Sequence, residues 1–98
     1  MSERPDAAET GDKLAAAIER GARARALLEN ELLRDAFRTL EDDYTAAWKT
    51  WPAADAAGRE RLWPAVNVLG KVRDDLARVV ADGRLAQREL NDLIYKAR

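Results

Sequence analysis

The sequence predicts an all-α protein centred on a long antiparallel helical hairpin, with a flanking N-terminal helix and a short C-terminal one. Three observations predict it. Alanine, leucine, arginine and glutamate are abundant while aromatic residues make up only 6% of the 98 residues, a composition that favours helix over strand. Leu33, Phe37, Leu40, Tyr44, Ala47 and Trp51 follow one another at spacings of four, three, four, three and four, which is the heptad seam of a coiled coil. A second long amphipathic stretch begins just past a short turn containing proline and glycine, and two long helices joined that closely lie antiparallel.

Taken in order, residues 1–11 carry a proline, a glycine and several charges without apolar periodicity, and they read as a flexible leader. Residues 12–98 form a single domain. Its first helix is expected over about 12–29, with sparse apolar positions at Leu14, Ile18 and Leu27 and with Gly21 inside it. Asn30 either caps a new helix or rides inside a continuous one at an a-type position, where a buried amide selects register. The helix over 31–50 stops near Thr50, because Trp51 precedes Pro52 and that ring disfavours helical backbone in its neighbour. Asp55 is a good cap for a helix over 56–82, whose inner positions are Leu62, Val66, Leu69, Val72, Leu76 and Val79. Pro64 removes a hydrogen bond at a cost of about 3 kcal/mol, which predicts a kink or a restart near Arg61 to Pro64. Gly70 is expected to mark a close helix crossing. Asp82 and Gly83 are expected to end this helix with a left-handed cap, leaving a short final helix over 85–95 with Leu85, Leu90, Leu93 and Ile94 inward.

Composition removes most routes to catalysis. The chain has no cysteine and no histidine, so it lacks thiolate ligands, the commonest general base and the commonest metal ligand. No nucleophile–base pair, phosphate loop or dinucleotide signature is present either. We therefore expect no enzyme, no cofactor and no metal. Seventeen basic and eighteen acidic side chains leave a net charge of −1, so no global field draws the protein to nucleic acid or to an anionic membrane. Without a long apolar run or an apolar N-terminal stretch, a soluble cytoplasmic protein without membrane contact is expected.

Several constellations have two readings. Leu27, Leu28, Leu32 and Leu33 together with Trp48, Trp51 and Trp63 broaden the apolar surface beyond one stripe per helix. Either the flanking helices cover the surplus, or it joins a second copy or another protein, and the small core of so short a chain favours association. The three tryptophans near the turn either form an aromatic platform or staple the helix ends. Stapling is favoured, with Trp48 one position off the seam and directed outward. Arg20, Arg23 and Arg25 are a local basic cluster able to touch phosphates, but Glu19 and Glu29 flank it and Glu19 with Arg23 has ordinary i,i+4 spacing, so a solvated face is favoured. Glu41, Asp42 and Asp43, and separately Asp74 and Asp75, are consecutive acids that point to different helix faces and do not converge as metal ligands must. Pairs at i,i+4 are expected for Arg38 with Asp42, Lys71 with Asp75 and Asp74 with Arg78.

From Trp48 to Ala86 the chain carries a Trp-containing helix end, a turn with Pro52, and a helix start with Asp55, Gly58, Arg59, Glu60, Leu62 and Trp63. An exit with Val79, Val80, Gly83, Leu85 and Ala86 follows. This pattern resembles small helical proteins of tailed phages and prophages. It covers about two fifths of the chain and departs from them at Pro64 and at Asn30 with Glu31. The resemblance implies a DNA-packaging or virion-assembly context, similar to that of a terminase small subunit, with a homo-oligomer and a large packaging or virion component as partner. The function expected is thus protein–protein interaction and oligomerisation, with Leu27, Leu28, Leu32, Trp48, Trp51 and Trp63 at the interface. Nucleic-acid contact through Arg20, Arg23 and Arg25, and inhibition of a host protein through the Trp-rich turn, are the alternatives.

Overall fold

The structure, a computed structural model, describes residues 7–96, and all its regular elements there are α-helices. They are α1 (Ala7–Glu29), α2 (Glu31–Thr50) and α3 (Ala56–Lys96). The fold is all-α, as the sequence predicts. Helix α1 starts earlier than expected, inside the stretch read as a leader. Ala7, Ala8 and Glu9 are strong helix formers, and an acid in the first turn suits the positive end of the helix. The rest of that leader, residues 1–6, lies outside the described residues.

Asn30 is a cap. Its backbone leaves the helical region at φ −67° and ψ 118°, and its Oδ1 accepts a hydrogen bond from the Leu33 amide at 2.8 Å. That bond satisfies one of the donors a helix start leaves free. Helix α2 then ends where expected. Trp51 is extended at φ −64° and ψ 137°, the conformation a following proline selects.

Helix α3 corrects three expectations. It runs for 41 residues without a break, so the terminus foreseen at Asp82 and Gly83 and the separate helix over 85–95 do not exist. A left-handed cap needs positive φ, and no described glycine has it. Pro64 lies inside α3 and starts no new helix. Both Pro64 and Glu60, the residue whose carbonyl the ring deprives of a donor, are exposed. Gly70 marks no crossing, since nothing lies within 4 Å of the place a Cβ would take.

The chain divides into two compact units. The first joins the described residues up to Ala26 with those from Leu76 onward. Ala7, Thr10 and Gly11 share a cavity with Leu90, Leu93 and Ile94, while Gly21 meets Gly83 and Val79, so the two helical segments run antiparallel. Their seam is made of small residues. Ala17, Gly21 and Ala24 on α1 and Val79, Gly83 and Ala86 on α3 each follow a spacing of four and three. Ala24 and Ala86 are buried at 3% and 4% exposure.

The second unit, Leu27–Asp75, contains an antiparallel hairpin of α2 and the start of α3. Leu33, Phe37, Tyr44 and Ala47 on α2 are half-buried, as are Leu62, Ala65, Val66 and Leu69 on α3, and no residue of α2 is fully buried. Midway along, the seam departs from the spacing. Leu40 and Val72 are 42% and 41% exposed. Glu41 and Arg73, one residue further along each helix, pair across the hairpin at 2.7 Å.

Candidate interaction surfaces

The turn of the hairpin is locked by one carboxylate. Asp55 Oδ1 accepts from the Gly58 amide at 2.9 Å and caps α3, while its Oδ2 accepts from the Trp51 indole Nε1 at 3.2 Å. The backbone closes beneath them, Asp55 N donating to the Pro52 carbonyl at 3.0 Å. Gly58 is buried in this corner, and a Cβ there would lie 2.8 Å from the Trp51 indole nitrogen. Trp51 thus links the two helix ends, the stapling role read from its position.

The other two tryptophans do different things. The guanidinium of Arg59 lies 3.8 Å over the centroid of Trp48, a cation–π distance. Arg59 Nε is buried without a hydrogen-bond partner, so the indole face compensates it in place of an acceptor. Trp48 is 37% exposed and Trp63 is 59% exposed. Trp63 contributes bare aromatic surface on α3.

On one side of the hairpin a groove of about 510 Å³ is lined by Leu27, Leu28, Leu33 and Phe37, with Arg34, Arg38, Glu41 and Arg73 around them. Four of its lining residues are apolar, and the others are three arginines and one glutamate. Arg73 is held by Glu41 and sits 5.2 Å over the Phe37 ring. Arg38 pairs with Asp35, and not with Asp42 as the spacing had suggested; a partner three residues back is as close on a helix as one four residues ahead. Arg34 makes no ion pair or side-chain hydrogen bond among the described residues. Leu32 lies outside the groove and is 80% exposed. Sequence reading named Leu27 and Leu28 here but missed the arginines. The available signal was Arg34 and Arg38 one turn apart, each one residue after a seam leucine or phenylalanine.

No protein-family model, curated protein or solved structure matches the chain.

The remaining candidates have local explanations. Arg23 pairs with Glu19 at 2.8 Å, Arg25 has a partner, and Arg20 stands beside a small cavity that Asp82 also lines. These arginines are exposed, but the cluster is not a free row of cations. Among the described residues no three carboxylates gather as a cation cage. None of the helices there is long and apolar enough to cross a membrane.

Proposed function

We propose that this chain is a non-catalytic helical protein that works by joining protein chains, first of all copies of itself. The observation that carries the reading is the poverty of its own core. Among the described residues the only buried hydrophobic ones are Ala24 and Ala86, no large side chain is fully buried, and Leu32, Trp63 and Val68 expose 80%, 59% and 54% of their surface. Apolar surface on that scale is stabilised when a neighbour covers it, at roughly 25 cal/mol for each Å² removed from water. A phage-type DNA-packaging or virion-assembly complex is the setting we propose for it, supported by the resemblance of the Trp48 to Ala86 stretch.

Sedimentation velocity across a wide concentration range tests the reading. The expected result is a mass above that of one chain that rises to a plateau, and that falls when Leu32 and Val68 are both replaced by glutamate. A single-chain mass at every concentration would overturn it.

A further inference from the structure

The chain exposes more surface than a protein of its size keeps when it stands alone. Its accessible area is 8073 Å², whereas a folded monomer of the same 10.9 kDa exposes about 5,600 Å². At their full unfolded value, the eight residues outside the described ones account for about 1,300 Å² of that total. The described residues still carry roughly 1,500 Å² more than a monomer of their size. A standard interface covers about 800 Å² on each partner, and obligate homodimers cover roughly 1,000 to 2,500 Å². The surplus is that of a subunit taken out of an obligate pair.

One side of the Leu27–Asp75 hairpin holds part of it. Glu41 and Arg73 pair across the hairpin, and Leu40 and Val72 each precede one of them. One residue is a step of about 100° around a helix, and in an antiparallel pair the two backward steps turn to the same side. Val68, one turn before Val72, joins them. All three are exposed, and they come from both helices of the hairpin. The charges beside them follow from the same spacing: Asp43 three residues after Leu40, Lys71 three after Val68, and Arg61 and Asp75 seven to either side of Val68. With two charges of each sign, this side can meet its own copy without an excess of like charge.

We propose that two copies of this chain join face to face through this side, related by a two-fold axis, with Leu40, Val68 and Val72 of both copies in a shared core. The proposal rests on the self-association argued above and specifies its surface and symmetry. An antiparallel helical hairpin is half of a four-helix bundle, and a second hairpin laid against it completes one. A two-fold contact uses the same surface on both copies, so association closes at two chains.

Two double variants of the full chain test this by sedimentation velocity, Val68→Glu with Val72→Glu and Val68→Lys with Val72→Lys. Both positions are exposed, and circular dichroism checks that the helices remain. Wild type is expected to sediment as two chains at low and high salt alike, because apolar burial holds the pair. Each variant alone is expected to be a single chain. Their equimolar mixture is expected to give two chains again, now only at low salt, since an acidic face then meets a basic one. The isosteric pair Val68→Thr with Val72→Thr, close to valine in helix propensity, is expected to raise the Kd of the dimer at least tenfold. A mixture that stays single-chain while wild type associates, a wild type larger than two chains, or an unchanged Kd in the threonine variant would overturn the face-to-face contact and leave self-association standing. A wild type of one chain at every concentration would overturn both and leave a different protein as the cover of this side.

Discussion

Gly21 and Gly83 stand backbone to backbone: a Cβ built on either would lie 2.9 Å from the Cα of the other. Carbonyl groups close the space further, Val79 O lying 3.2 Å from the first position and Ala17 O 3.0 Å from the second. Backbone atoms cannot rotate aside as a side chain can, so one added methyl group must push the helices apart. Overpacking of this kind costs about 1 to 3 kcal/mol, against a gain of roughly 1 kcal/mol from replacing glycine in a helix. Gly21→Ala and Gly83→Ala are each expected to lower the melting temperature by several degrees, followed by circular dichroism. The double substitution should cost less than the sum, because the first methyl already separates the helices.

Gly70→Ala should do the opposite. With nothing within 4 Å of its Cβ position, only the helix propensity term remains, and a stabilisation of about 1 kcal/mol is expected by denaturant titration. A loss of stability there would contradict the open surroundings of Gly70.

Asn30→Ala removes the oxygen that accepts from the Leu33 amide. A loss of about 1 kcal/mol is expected, while Asn30→Asp should retain most of the stability, since aspartate caps as well as asparagine. Chemical denaturation of the three proteins side by side gives the comparison.

Asp55→Ala releases both the Gly58 amide and the Trp51 indole. The cap alone is worth about 0.5 to 2 kcal/mol, and the freed indole should change the tryptophan emission of the folded protein. Asp55→Asn is expected to lose less, because its side-chain oxygen can still accept from Gly58 and cap α3. Fluorescence-monitored unfolding reads both effects at once.

Trp48→Ala takes away the ring beneath Arg59 and leaves a half-buried guanidinium without compensation. A loss of about 1 kcal/mol or more is expected, with Trp48→Phe intermediate, since the benzene face is a weaker cation partner than indole. An unchanged stability in Trp48→Ala would show that the stacking contributes nothing.

Helix class, the cap at Asp55, the end at Trp51 and the stapling by that residue were legible because each depends on residues adjacent in sequence. Gly83 misled for the same reason. Read locally, a glycine after Asp82 ends a helix; it continues one here because Gly21, far away in the chain, takes up the space its side chain leaves. Gly70, with the same local appearance, has no such neighbour. The groove was half legible: its leucines showed in the apolar pattern, while Arg34, Arg38 and Arg73 looked like surface charge until Arg73 was seen to reach back across the hairpin to Glu41. Periodicity overreached at Leu40 and Val72, which stay 42% and 41% exposed while Glu41 and Arg73 pair across the hairpin beside them.

Trp48, Trp51 and Trp63 all belong to the unit Leu27–Asp75, and the chain has no other tryptophan. Indole fluorescence is therefore a local thermometer that reads that unit alone, while far-UV circular dichroism reads helix in both. Because each signal comes with the native sequence, no label is needed to learn whether α3 melts as one rod: coincident curves mean a single cooperative transition, and a helical signal that falls before the indole signal means that the pairing around Gly21 and Gly83 lets go first.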